Sequence, residues 1–143
     1  MFTIGFTKKS ARDFFSALRR PGLKRIADVR LNNVSQLAGF SKRDDLQFFA
    51  EAIGNISYVH LPELAPTQQM LDEYKKKRGS WADYETKFLN LMAQRRVEES
   101  VSKEVIDGSC LLCSEEKPEH CHRRLVAEYL KQKWGNLEIE HIT

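Results

Sequence analysis

No apolar run in this chain approaches the roughly 20 residues that a membrane-spanning helix needs. The opening segment, MFTIGFTKKS, lacks the charged stretch followed by an apolar run that marks a signal peptide. Cysteine is scarce: three residues, an odd number, in a chain without an export signal. That combination argues against a disulfide framework and for reduced thiols, so a cytoplasmic location is expected. Charge of one sign is lacking too, since 23 basic against 20 acidic residues leave a net charge of +3. A dedicated nucleic-acid binder is more strongly basic, although a local basic patch is compatible with this balance. Internal repeats, low-complexity tracts and linkers are all missing, and residues 1–143 are read as one domain.

What is present is an ordinary globular composition, 41% hydrophobic and 30% charged. A chain of this length buries roughly 68% of its unfolded surface, enough for a core without a metal or disulfide staple. Short apolar runs alternate with longer helical periods. Phe2 to Phe6, Arg25 to Arg30, Ile56 to Leu61, Cys110 to Cys113 and Leu137 to Ile142 read as strands. Between them lie helices: Ala11 to Arg20 behind the cap Ser10, a second behind Ser41, Pro66 to Lys77, and one from Ser80 or Trp81. A last helix is expected from near Pro118 to Trp134-Gly135. In the second helix Leu46, Phe48, Phe49 and Ile53 are expected to supply the apolar side. This order predicts an α/β protein: a single-domain open sandwich with a mostly parallel sheet of about five strands flanked by helices.

Ligands of such sheets bind outside the carboxyl ends of the strands. Those ends carry Gly5 and Thr7, then Asp28 and Arg30, then Tyr58, His60 and Glu63, then Cys113, Ser114, Glu115 and Glu116. Asp28 and Arg30 are two apart and share a face of their strand. They read either as a structural ion pair or, for Arg30 at the strand's end, as an anion holder. His60 reads either as a core histidine bonded to a carbonyl or as a site residue.

The densest signal runs from Cys113 through Pro118 to His120, Cys121, His122, Arg123 and Arg124. A cysteine leaves a buried strand, and a second one stands near the start of a helix. There, free N–H groups and the macrodipole favour anions and thiolates. Three readings compete. Thiol chemistry would use Cys113 or Cys121 as nucleophile with a histidine partner. A metal site would use both cysteines, a helix histidine and His60, whereas Cys110 and Cys113 point to opposite faces of a strand and cannot share an ion. An anion pocket would use Arg30, Arg123, His60 and backbone N–H groups. The close Cys-x5-Arg cradle of cysteine phosphatases is absent, because the first arginine after Cys113 is Arg123. No metal ligand and no cofactor are assigned. Lys75-Lys76-Lys77-Arg78, with Arg19-Arg20 and Lys24-Arg25, reads either as solvated helix ends or as phosphate contacts. Tyr74, Trp81, Tyr84 and Phe88 are read as helix core rather than a base-stacking platform.

Four segments in order, Ile4-Gly5-Phe6-Thr7, Ala27-Asp28-Val29-Arg30, Tyr58 to Leu64, and Leu112 to Glu115 with Pro118 and Cys121-His122-Arg123, resemble the family called domain of unknown function 488. The match runs from residue 3 to about residue 134. It implies a compact cytoplasmic α/β domain of prokaryotes, with no agreed activity. Carried over by motif, it singles out Gly5, Asp28, Arg30, His60, Glu63, Cys113, Glu115, Pro118, Cys121, His122 and Arg123. The chain departs from the common pattern at Leu31 to Gln36 and at Ala65-Pro66-Thr67, both on the edge where a ligand is expected.

The favoured expectation is an enzyme acting on an anionic, nucleotide-like or nucleic-acid substrate. Cys113, Cys121, His60 and Glu115 are its candidate catalytic residues. Gly5, Thr7, Asp28, Arg30, His122 and Arg123 are its candidate binding residues. The alternative is a non-catalytic module that binds nucleic acid or a nucleotide.

Overall fold

The computed structural model describes residues 1–33, 42–115 and 117–143. Ser41, expected as a helix cap, and Glu116 lie outside the described residues.

Five strands, β1 (Phe2–Gly5), β2 (Arg25–Asp28), β3 (Ser57–His60), β4 (Ser109–Cys113) and β5 (Glu140–Ile142), form one sheet in the order β3-β2-β4-β1-β5. Every pairing is parallel. The described helices are α1 (Ala11–Ala17), α2 (Arg43–Gly54), α3 (Gln68–Leu71), α4 (Trp81–Arg95), α5 (Val97–Ser100), α6 (Lys103–Ile106) and α7 (His122–Trp134). None of them is long and apolar enough to cross a membrane.

Local sequence explains most boundaries. Ser10, Thr67, Ser80 and Ser102 each accept a hydrogen bond from the backbone N–H three residues on, which caps α1, α3, α4 and α6. Asn55 ends α2 in the left-handed region. The expected helix from Pro66 to Lys77 is α3 followed by a single π turn at Asp72–Lys76. The last helix begins at His122 rather than near Pro118, because Pro118 lies in a turn whose carbonyl accepts from the Cys121 N–H. The short helices α5 and α6 were not anticipated from the sequence. Both carry one buried residue, Val97 or Ile106, too little periodicity to register.

Successive side chains along the strands point to opposite faces of the sheet and sort the core into two layers. Ile4, Ile26, Cys110 and Leu112 pack with Phe14 and Leu18 around α1 and with Leu46 and Ala50 of α2. Ala27, Val29, Leu111 and Cys113 pack with Phe88 and Met92 of α4 and Leu125 and Val126 of α7. β4 is buried at all five residues, as its continuous apolar run predicts. One expectation fails: on α2, Leu46 and Ala50 are buried, while Phe48, Phe49 and Ile53 are 64%, 37% and 44% exposed. Leu46 and Ala50 are one helical turn apart on the sheet side, and Phe48, two residues from each, is carried by the 3.6-residue period to the opposite side.

The register places the carboxyl ends of the three central strands together, with Gly5 opposite Cys113 and Asp28 opposite Leu112. The connections leaving β2 and β4 run over opposite faces of the sheet. The ends of β2, β4 and β1 therefore border the crevice where doubly wound sheets hold ligands.

Candidate functional site

A pocket of about 170 Å³ opens at this crevice. Its floor is Cys113, Cys121 and His122, its wall is Tyr74, Trp81, Tyr84 and His120, and its rim includes Arg30, Asn32, Lys75 and Glu115.

Cys113 ends β4 and is 6% exposed; Cys121 is the N-cap residue of α7. The Cys113 Sγ lies 3.5 Å from His122 Nδ1, and His122 Nε2 lies 2.7 Å from the Val29 carbonyl oxygen. A carbonyl only accepts, so Nε2 donates to it and Nδ1 is the nitrogen turned to the thiol. The Cys121 thiol hydrogen-bonds Cys113 and pushes its pKa below the ordinary thiol value. Burial opposes this shift, while the backbone N–H groups of Ser114 and Glu115 and the Arg123 charge support it. Cys121 is pushed the other way by its own burial and by Cys113, so Cys113 is the more acidic thiol of the pair. Cys110 faces the opposite core, and burial raises its thiol well above the ordinary range.

Among the described residues, Cys113, Cys121 and His122 are also the group suited to a metal ion, with ligand atoms all within 4.8 Å of one another. In a tetrahedral zinc site with two thiolates and an imidazole, bond lengths near 2.3 and 2.05 Å set sulfur and nitrogen about 3.5 Å apart. A ligating histidine also gives its other N–H to a carbonyl or carboxylate, as His122 does here.

The arginines serve the frame. Arg30 clamps Asp28 through Nε–Oδ1 at 2.9 Å and Nη2–Oδ2 at 2.8 Å, both side chains being at most 4% exposed. Tyr58 donates to the same carboxylate at 2.6 Å, and the Arg30 guanidinium stands 5.4 Å from the Phe6 ring centre. Burial and then Asp28 hold the Tyr58 hydroxyl protonated far above its usual pKa. This cluster fixes the end of β2, which presents the Val29 carbonyl to His122 and the Arg30 carbonyl to His60 at 2.9 Å. Arg123 is fully buried and donates to the Glu115 carbonyl at 2.6 Å.

That carbonyl explains Gly5. A Cβ there would stand 1.5 Å from the Glu115 oxygen and 2.9 Å from Arg123 Nη1. Only glycine lets the β4–α7 loop cross the end of β1. The Glu115 carboxylate lies at the rim, 2.7 Å from Lys75 Nζ. Burial disfavours the Lys75 ammonium, yet its bond to Glu115 outweighs this and raises its pKa.

The fold thus gathers Cys113, Cys121, His122, Glu115 and Arg30 around one pocket, with Arg123 and Gly5 beneath its loop. It leaves His60, Thr7 and Asp28 outside the lining. Thr7 is exposed, and its N–H meets the Ser114 carbonyl at 3.1 Å. Glu63 and the buried turn residue Pro118 are likewise outside.

Sequence reasoning missed the aromatic wall. Tyr84 and Phe88 are buried core as expected, but Tyr74 and Trp81 are half-buried and line the pocket. Trp81 stacks on Tyr84 at 5.2 Å and on His120 at 5.0 Å. The π turn at Asp72–Lys76 sets Tyr74 and Lys75 on the pocket, and such turns recur at functional sites. The available signal was the aromatic spacing 74, 81, 84 beside a lysine run. Arg19, Arg20 and Arg25 make hydrogen bonds to Ile53, Ala17 and Val105 carbonyls, and Arg25 opens β2 at the end of the sheet away from the pocket. Of the basic clusters, the run beginning at Lys75 is the one that borders the site.

Comparison with curated proteins and with solved structures gives no match. A family model described as a domain of unknown function, DUF488, matches residues 10–130. With most of its length covered by that model, including the segments that build the pocket, the chain belongs to the DUF488 family.

Proposed function

We propose that this protein is an enzyme that acts on an anionic, nucleotide-like substrate through a covalent intermediate on Cys113. The observation that carries the reading is the 3.5 Å approach of Cys113 Sγ to His122 Nδ1 on the floor of a pocket, with His122 oriented by the Val29 carbonyl. Nucleophile, base and a third group that orients the base form the pattern of covalent catalysis. The aromatic wall suits a planar ring, and Lys75, paired with Glu115 at the rim, is the cation that would meet its anionic part by exchanging that partner.

In this mechanism His122 takes the Cys113 proton on Nδ1. The thiolate attacks the electrophilic carbon or phosphorus of the substrate and forms a bond to sulfur. The leaving group departs with its electron pair and takes the proton from His122. Water then gives a proton back to His122 as it attacks the intermediate, and the Cys113 thiolate leaves. The Cys121 S–H and the N–H groups of Ser114 and Glu115 stabilise the thiolate in both steps.

The test is competitive alkylation. Limiting iodoacetamide should modify Cys113 before Cys121 and Cys110, and a panel of nucleoside 5′-phosphates should contain one that protects it. Equal labelling of the three thiols, or no protection by any anion, would sink the reading.

A second reading rests on the convergence of Cys113, Cys121 and His122, whose ligand atoms all lie within 4.8 Å of one another beside the pocket. There Cys113, Cys121 and His122 would hold a zinc ion, which would supply an activated water as nucleophile. Elemental mass spectrometry separates the two. Near-stoichiometric zinc, lost in Cys121→Ala, supports the second reading, whereas metal-free protein with a reactive Cys113 supports the first.

A further inference from the structure

We propose that the Tyr84 hydroxyl is the hydrogen-bond donor to an oxygen on the atom that Cys113 attacks, so that the substrate presents an acyl or phosphoryl group rather than an alkyl carbon. The inference rests on the reading of Cys113 as nucleophile and adds the group that meets the charge its attack creates.

Hydrogen bonding singles out this residue. A buried tyrosine hydroxyl ordinarily finds a partner. Two tyrosines away from the pocket do so: Tyr58 donates to Asp28 at 2.6 Å and Tyr129 to Glu98 at 2.7 Å. Tyr84 is only 5% exposed, yet among the described residues nothing bonds its hydroxyl, neither thiol included. The oxygen is open to the pocket rather than sealed in the core. The interval between this hydroxyl and the thiols is thus left to the substrate.

Packing holds the ring in place. Trp81, Tyr84 and Phe88 are spaced three and four residues apart on α4 and share one face. The Tyr84 ring centre lies 5.2 Å from Trp81, 5.1 Å from Tyr74 and 6.1 Å from Phe88, whose own ring stands 5.5 Å from His122. Tyr84 also borders a smaller cleft beside Glu73, Asp83 and Lys87. The groups that act on its hydroxyl are instead Cys113, Cys121, Tyr74 and Glu115, all of them pocket residues. Burial, and after it these neighbours, keep the hydroxyl protonated far above its usual pKa, so it remains a donor.

The chemistry follows from that placement. When the Cys113 thiolate adds to an acyl carbon, a C–S bond forms and the C=O π pair moves onto oxygen. A donor already fixed at that oxygen stabilises the charge without reorganising. Tyr84 donates to it and keeps its proton. The pair then returns, the C=O re-forms, and the leaving group departs with its electrons and takes the proton from His122. A phosphoryl oxygen is served in the same way. An alkyl carbon carries no such oxygen, and displacement there gains nothing from Tyr84.

Tyr84→Phe removes the hydroxyl and keeps the ring. Two probes read its effect on the full chain. Iodoacetamide alkylates a thiolate by displacement and develops no oxyanion at the attacked carbon; 4-nitrophenyl acetate acylates it through one. Mass-resolved rates at Cys113 give the ratio of acetylation to alkylation, which should fall by about 10-fold or more in the variant. An unchanged ratio overturns the proposal: with both rates intact, Cys113 stands as nucleophile without this donor, and with both lowered together, Tyr84 only supports the wall. A wild-type Cys113 that reacts with neither reagent overturns the underlying reading as well.

Discussion

His122 donates through Nε2 to the carbonyl of Val29, 93 residues earlier in the chain, and this one bond decides which ring nitrogen meets Cys113. The carbonyl sits at the end of β2, where Asp28, Arg30 and Tyr58 lock the backbone. The buried ion pair is therefore a positioning device for a histidine on another element.

Replacing His122 by Asn keeps a side chain near Val29 but removes the group that accepts the Cys113 proton. Turnover on a protecting nucleotide should fall by about 100-fold or more. Thermal midpoints measured beside the rates separate this from unfolding. Unchanged turnover would exclude His122 as the proton acceptor.

The pH dependence of alkylation at Cys113 reads its thiolate directly. Hydrogen bonds from Cys121, Ser114 and Glu115 favour the charged form, so the midpoint should lie below the value of about 8.5 for an unperturbed thiol. Cys121→Ala removes the largest of these contributions and should move the midpoint upward. Mass-resolved iodoacetamide kinetics between pH 5 and 10 would show both; a wild-type midpoint above the ordinary value would contradict the geometry.

Asp28→Ala removes the buried carboxylate that accepts from both Arg30 and Tyr58. Breaking a buried pair on one side costs about 3–5 kcal/mol, readable in urea unfolding. Adding Arg30→Met should restore part of that loss, because the charge that faced Asp28 is removed with it. A cost below about 1 kcal/mol for the single variant would mean that the pair carries little of the strand end's stability.

Gly5→Ala forces a methyl group into the Glu115 carbonyl. The loop must move, with a loss of about 1–3 kcal/mol and slower alkylation of Cys113, whose sulfur is held by the adjoining N–H groups. Ala at Gly22, where nothing stands within 4 Å but φ is +86°, is the control: it strains the backbone without touching the site.

Trp81→Ala opens the aromatic wall on one side and leaves His120 without its stack. Binding of a protecting nucleotide, measured by calorimetry, should weaken by about 1–3 kcal/mol if its ring lies against this wall. Equal weakening for inorganic phosphate would show that the anion, not the ring, is what the pocket reads.

The sequence by itself determined the order of elements, the parallel sheet and the neighbourhood of the chemistry. Apolar runs of 4–6 residues bounded by Gly, Pro and capping serines are local signals, and Ser10, Ser80 and the Gly54-Asn55 stop act where the sequence places them. Cys113, Cys121 and His122 were legible as a group because they fall within ten residues and share a strand end and a helix start. Tertiary structure decided their partners. That His122 rather than His60 faces Cys113 depends on β2 lying beside β4, a pairing between distant segments. The outward turn of Phe48, Phe49 and Ile53 was beyond reach because helical period reports an apolar side but not which part of it the sheet receives. Tyr74 and Trp81 looked like core for the same reason. A side chain at the edge of a core and one at the wall of a pocket have the same composition, and only the packing of α4 and the π turn against the strand ends separates them.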